Sequence, residues 1–184
     1  MRKIIAAMNM TLDGFCDHTA TIADDEMHEH YNELLRSADT LIYGRTTYQL
    51  MESYWPAVVR EPTGDKATDA FAVLIDDMEK IVYSRTLKSV NWKNSTLKHE
   101  IIKEEIVELK RQTGAHILVG SPSLIVAFTQ LSLIDEYQLN VNPIILGSGL
   151  PLFKNIQERV DLQLLKTKQF GSGAVVLYYE PAKK

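Results

Sequence analysis

Leu41-Ile42-Tyr43-Gly44-Arg45-Thr46-Thr47-Tyr48 is the stretch that decides how this chain reads. Thr40 to Tyr43 is too short for a helix and fits a buried strand. Gly44 interrupts it. Thr46 then begins a helix that is expected to stop before Pro56, because proline lacks the N–H of an interior turn. A strand, a small residue, a hydroxyl and a helix start gather backbone N–H groups around one point, the arrangement that holds phosphate. Gly44 lets a ligand approach the backbone, Arg45 can pair with a phosphate in bidentate geometry, and Thr46 can cap the helix or touch a phosphate oxygen. The same residues also fit an ordinary strand-to-helix turn with a capping threonine.

Two similar punctuations follow downstream. Ser84-Arg85-Thr86 closes the strand Lys80 to Tyr83, and ligands of open α/β sheets sit beyond the carboxyl ends of strands. Arg85 there can grip a 2′-phosphate or be a solvated turn residue. Charged hydrogen bonds are worth about 1.5–3 kcal/mol each, so two would favour NADPH over NADH by roughly a hundredfold or more. Gly120-Ser121-Pro122-Ser123 follows the strand His116 to Val119, and Pro122 suits a first helical turn. Ser121, Ser123 and Leu124 would supply its donors. Two cradles and two arginines imply a phosphorylated dinucleotide. Neither the Rossmann G-x-G-x-x-G nor a Walker loop is present, since Gly147-Ser148-Gly149 runs into Leu150-Pro151.

Around these landmarks the chain alternates strand and helix. Lys3 to Met8 reads as a buried strand with the turn Asp13-Gly14 after it. Asp24 or Asp25 caps a helix to Arg36, Ala67 to Met78 is helical, and Ser95 to Lys98 is a weak strand. Glu100 to Thr113 is an amphipathic helix with Ile101, Ile102, Ile106 and Leu109 inward and Gly114 as its stop. Pro122 to Leu131 is helical, and Glu136 to Asn142 alternates as a strand. Leu162 to Phe170 and Ala174 to Tyr179 form a hairpin around Gly171-Ser172-Gly173. The expected fold is α/β in three layers, αβα, with about eight strands, mostly parallel, and an antiparallel C-terminal hairpin. Residues 1–184 are expected to form one domain.

The 184 residues are 45% hydrophobic and 24% charged, with a formal net charge of −4. That balance argues against a nucleic-acid surface, and no apolar run reaches membrane-spanning length. The single cysteine, Cys16, and the missing secretory pattern point to the cytoplasm. His28 and His30 lie two apart on a helix, about 200° around its axis, so they do not chelate a metal together. No metal site is expected. Asp24-Asp25-Glu26 reads as a helix-start charge cluster.

Taken in order, these segments resemble the dihydrofolate reductase-like superfamily, and most closely the C-terminal reductase domain of bifunctional riboflavin-biosynthesis deaminase-reductases. The pieces are Ile4-Ile5-Ala6-Ala7, Met10-Thr11-Leu12-Asp13-Gly14, Leu41 to Tyr48, Val82 to Thr86, Val119 to Leu124, Ile134-Asp135-Glu136 and Asn142 to Phe153. The resemblance implies an eight-stranded sheet, NADPH at the C-terminal strand ends and a homodimer. It sets Arg45, Ser84 and Arg85 around the 2′-phosphate, and Thr46, Thr47, Ser121, Ser123 and Leu124 around the pyrophosphate. Ala7, Gly14 and Gly120 line the nicotinamide side. The position of the folate-binding carboxylate falls near His28, and the stretch Asp17 to Glu33 has no Lys or Arg for a ribosyl phosphate.

The expected activity is therefore an NADPH-dependent reduction of a C=N or C=O bond in a small heterocyclic substrate. Asp13-Gly14 would close over the nicotinamide, and His28, with Asp13 nearby, would handle the proton. A nucleotide-binding protein without turnover is the alternative. A dimer module whose loops are only turns is the third reading. Ile144 to Phe153 and the last strands would build the dimer contact.

Overall fold

The structure, a computed structural model, describes residues 1–19, 21 and 24–182. The aliphatic start of the chain makes β1 (Ile4–Thr11). Helix α1 (Asp25–Arg36) begins where the Asp24 carboxylate accepts the Met27 N–H at 2.8 Å. Strand β2 (Ala38–Gly44) runs directly into α2 (Arg45–Arg60). Helix α3 (Lys66–Asp77) is capped by Asp65, which accepts the Thr68 N–H at 2.7 Å. Then follow β3 (Glu79–Tyr83), β4 (Ser95–Lys98), α4 (Lys103–Arg111), β5 (His116–Val119) and α5 (Pro122–Gln130). The chain closes with β6 (Glu136–Asn142), β7 (Leu162–Gln169) and β8 (Val175–Pro181).

The eight strands form one sheet in the order β4-β3-β2-β5-β1-β6-β8-β7. All neighbours from β4 to β6 pair in parallel, and β8 runs antiparallel to both β6 and β7. Helices cover both faces, because each central strand is apolar on both sides. Ile4, Ala6, Ile117 and Val119 meet Ile125 and Phe128 of α5 on one face. Ile5, Leu41 and Leu118 meet Leu34 of α1, Tyr48 of α2 and Ile75 of α3 on the other. This is the expected three-layer αβα sandwich with an antiparallel C-terminal hairpin. The outermost strand, β7, is exposed along nearly its whole length, with Leu162, Leu164 and Leu165 open to solvent.

Four local expectations are corrected. Helix α2 continues through Pro56 to Arg60. Pro56 forfeits about 3 kcal/mol of helix stability, but burying Val58 returns about 1.5–3 kcal/mol, and Trp55 packs at a tilt on Phe71 of α3 with ring centroids 4.6 Å apart. The N-cap of α2 is Gly44, and Thr46 lies exposed in its first turn. Helix α4 begins only at Lys103, and Ile102 is exposed rather than inward. Gly114 is not the helix stop. A Cβ there would lie 2.6 Å from the Asp39 carboxylate, which pairs with the buried Arg2, so glycine is required by that ion pair.

Candidate functional site

A gap in the sheet defines the site. β5 pairs with β1 only at Ile4, Ile5 and Ala6, whereas β6 follows β1 from Ile5 to Thr11. Beyond Ala6 a central strand therefore has one open edge. Lys3 O accepts the Ile117 N–H and Ile4 O accepts the Asp135 N–H, each at 2.9 Å. Odd-numbered residues of β1 thus turn their backbone polar groups toward β5. The Ala7 carbonyl and the Asn9 N–H and carbonyl face the gap, and Ala7 to Met10 are half-buried. Gly120 forms the opposite wall: a Cβ there would sit 3.3 Å from the Tyr43 ring and 3.9 Å from the Ala7 carbonyl oxygen.

Two helix starts flank the gap. The Gly44 N–H donates to Ser121 Oγ at 2.9 Å, so the α2 and α5 starts are joined. The Ser123 hydroxyl comes within 3.6 Å of the Cβ position of Gly44. Neither helix has a side-chain cap or an acidic residue in its first turn. Helices α1 and α3 are capped by Asp24 and Asp65, and α4 carries Glu104 and Glu105 in its first turn. The α2 and α5 tips are the ones left positive, where an anion binds. Leu124 is not a free donor, since its N–H bonds the Ser121 carbonyl at 3.0 Å. Thr47 stands half-buried beside Thr46 in the α2 first turn.

Arg45 and Arg85 leave the ends of neighbouring strands, just past the registered pair Gly44–Tyr83. Both are exposed, and neither guanidinium has an ion-pair or hydrogen-bond partner among the described residues. Ser84 belongs to its own turn instead: its buried hydroxyl accepts the N–H groups of Thr86 at 3.2 Å and Leu87 at 3.0 Å.

The residues expected to handle the proton are Asp13 and His28. The Asp13 carboxylate accepts the Thr11 hydroxyl at 2.6 Å and the Gly147 N–H at 2.7 Å, with the Leu146 N–H at 3.1 Å. The Thr11 hydroxyl, then the Gly147 N–H, hold its carboxyl below the usual carboxylate range, so it stays ionised and is no proton donor at neutral pH. The Gly14 carbonyl accepts the Leu152 N–H at 3.0 Å, and Phe15 bridges Pro151. The Asp13-Gly14 loop is thus a clasp onto 144–152, not a free lid. His28 is half-buried near Asp65, the α3 cap. His30 is the buried histidine, packed on Tyr31, Phe170 and Tyr178, and burial depresses its pKa to about 4. Among the described residues no group of three or more His, Cys, Asp or Glu side chains is placed to hold a metal, and no helix is long and apolar enough to cross a membrane. Two cavities lie beside Trp92, one of about 500 Å³ at the N-terminal ends of β3 and β4 and one of about 440 Å³ between α2 and residues 91–93.

Sequence reading missed a polar row under α1. Gln138 and Asn140 are 8% and 1% exposed, although β6 lies between β1 and β8 with helices above it. Asn140 Nδ2 donates to Asn9 Oδ1 at 2.8 Å, and the Tyr31 hydroxyl donates to the same oxygen at 2.7 Å. Burial raises the pKa of that phenol, so it stays a donor. Asn140 Oδ1 is buried without a partner, which costs about 1–3 kcal/mol. The available signal was the alternation Glu136, Gln138, Asn140, Asn142, whose polar face turns inward once both sheet faces are covered.

This frame is that of the dihydrofolate reductase-like fold. Dihydrofolate reductase from Enterococcus faecalis, solved with NADP(H), superposes with a TM-score of 0.64 at 14% identity over 98% of this chain and 97% of that one. A putative riboflavin biosynthesis protein from Shewanella sp. PV-4 superposes with a TM-score of 0.75 at 18% identity, over 98% and 99%. Residues 2–176 match the RibD C-terminal domain family, and the chain belongs to that family of reductase-like domains. The uncharacterized protein YyaP of Bacillus subtilis is 33% identical over 97% of this chain and 94% of its own length.

Proposed function

We propose that this protein is an NADPH-dependent reductase of a small heterocyclic substrate, acting on a C=N or C=O bond as the riboflavin-pathway reductases or dihydrofolate reductases do. One observation carries the reading: two uncapped helix starts joined through Gly44 and Ser121, with two unpaired guanidinium groups beside them. The α2 and α5 tips, with Thr46, Thr47 and Ser123, would hold the pyrophosphate. Arg45 and Arg85 would select the 2′-phosphate. The gap between Ala7 and Gly120 would take the nicotinamide, with the Ala7 carbonyl accepting from its carboxamide. When bound, the cofactor supplies a hydride, and the chain supplies position and water exclusion. Cys16, half-buried with its thiol pushed up to about 11 by burial, suits a reducing compartment, and we place the activity in the cytoplasm.

Nicotinamide fluorescence tests this directly. The protein should bind NADPH in preference to NADH, and Arg45→Ala and Arg85→Ala should each weaken NADPH by roughly tenfold or more while NADH changes little. Failure to bind NADPH at high micromolar concentration overturns the reading. Binding without turnover is the second reading, favoured by the engagement of Asp13 with Thr11, Leu146 and Gly147. NADPH binding with no oxidation across pterin, pyrimidine and quinone substrates would establish it.

We also propose a homodimer through the bare β7 edge and the exposed Ile145, Leu150 and Phe153. Sedimentation should give twice the chain mass, and Leu164→Glu should return the monomer.

A further inference from the structure

We infer that the Asn9 carboxamide is a specificity-determining hydrogen-bond donor for an uncharged, carbonyl-bearing ring, and that Tyr31 and Asn140 position it. The inference rests on the reductase reading and adds the chemistry of its substrate side. Asn9 lies two residues beyond Ala7 on β1, about 6.6 Å along the strand and on the same face. It is half-buried at the open edge of the strand. Its Oδ1 accepts both the Tyr31 hydroxyl and Asn140 Nδ2, which uses the two lone pairs of that oxygen.

Asn140 sits on β6, directly across from Asn9 in register. The carboxamide oxygen is therefore drawn toward β6, and the NH₂ is turned to the other side, toward β5 and the gap. Among the described residues Asn9 Nδ2 has no hydrogen-bond partner. Two donors on one oxygen lock the amide plane, so the free NH₂ is preorganised. Asn140 is 1% exposed and leaves its own Oδ1 unpartnered to hold this arrangement. A purely structural amide on a central strand would be expected to satisfy both of its ends.

A fixed, neutral NH₂ donates to a carbonyl oxygen or an unprotonated ring nitrogen. It rejects a protonated amino-heterocycle, whose edge presents only further donors and which needs a carboxylate. Glu136, on the same side of β6 as Asn140, is occupied: it pairs with Lys3 at 3.1 Å and accepts from Gln138 at 2.8 Å. Tyr31 and Asn140 act through Asn9 and do not themselves touch the ligand.

The test uses the full chain saturated with NADP⁺ and two probes, uracil and 2,4-diaminopyrimidine at a pH where the latter is protonated. Calorimetry reads the ratio of their affinities, and nicotinamide fluorescence reads NADPH binding separately. The wild type should prefer uracil. Asn9→Asp keeps the oxygen that Tyr31 and Asn140 hold and puts a carboxylate oxygen where the NH₂ was, so the ratio should move at least tenfold toward 2,4-diaminopyrimidine. Tyr31→Phe should weaken the uracil preference at least threefold. In both variants NADPH affinity should stay within twofold. A ratio unmoved by Asn9→Asp, or a wild-type preference for 2,4-diaminopyrimidine, with NADPH still binding, overturns the inference and leaves the reductase reading intact. A wild type that binds no NADPH overturns the reductase reading, and this inference falls with it.

Discussion

Two buried polar clusters on the α1–α3 face of the sheet behave in opposite ways. At the N-terminal end of β3, Lys80 is fully buried and donates to the carbonyls of Asp76, Met78 and Lys93 at 3.0, 2.9 and 3.2 Å. Its ammonium lies 4.4 Å from the Trp92 ring centroid, and Trp92 Nε1 donates to the Asp76 carboxylate at 2.5 Å. Lys93 completes that carboxylate at 2.6 Å. Each of these three side-chain donors, Lys80, Trp92 and Lys93, has an acceptor, and the cluster ties off the C-terminus of α3. At the other end of the sheet the Asn9–Tyr31–Asn140 cluster leaves an NH₂ and a carbonyl without partners. A polar cluster that serves only the fold closes on itself. One that leaves valence beside a gap in a central strand is available to a ligand.

The strongest way to break this contrast is Lys80→Ala. Removing the ammonium leaves three carbonyls without their donor and a cavity beside Trp92, so chemical denaturation should show a loss of about 3–5 kcal/mol with NADPH affinity unchanged. A change in NADPH affinity at equal folding would show that the two ends are coupled.

His30 sharpens the picture next. Burial holds its folded pKa near 4, and the Lys168 charge adds to this. The unfolded chain takes up that proton near pH 6.5, so the stability from a neutral His30 is full above pH 6.5 and is lost as pH falls toward 4. The total is about 3 kcal/mol. His30→Phe keeps the aromatic packing on Phe170 and Tyr178 and should flatten the stability curve between pH 6.5 and 4. A slope unchanged in the variant would assign the acid sensitivity to other groups.

The smallest expected effect on stability is in the open cluster. Asn140→Leu removes a carboxamide whose oxygen is already unsatisfied, so stability should change by no more than about 1 kcal/mol. A loss as large as that of Lys80→Ala would make the open cluster structural.

Much of the fold was legible because short β-branched runs and amphipathic helices announce themselves by period. Thr40 to Tyr43, His116 to Val119 and the Gly171–Gly173 turn are found where the pattern puts them. The cofactor-side landmarks Gly44, Arg45, Ser121 and Arg85 were legible for the same reason, since each punctuates the end of a strand. Leu124 was misjudged because a first helical turn uses its N–H locally, and nothing in the sequence shows that the Ser84 hydroxyl also serves its own turn. Asp13 was read as part of a lid because nothing near it in sequence shows that residues 146 and 147 donate to it. Thr46 looked like a cap because hydroxyls usually are caps, yet here the helix starts one residue earlier, at a strand that ends on Gly44.

The sequence alone determined the layered α/β architecture, the strand ends that carry glycine and arginine, and the amphipathic sides of the helices, because these follow from local periodicity and backbone preference. Only the tertiary structure decided that the pairing of β5 with β1 ends at Ala6 to leave a gap, that Gly44 and Ser121 meet beside it, and that the amides of β6 face inward. Those facts depend on which strands are neighbours and in what register, and contacts between residues such as Gly44 and Ser121, 77 positions apart, or Asn9 and Asn140, 131 apart, leave no periodic trace in the chain.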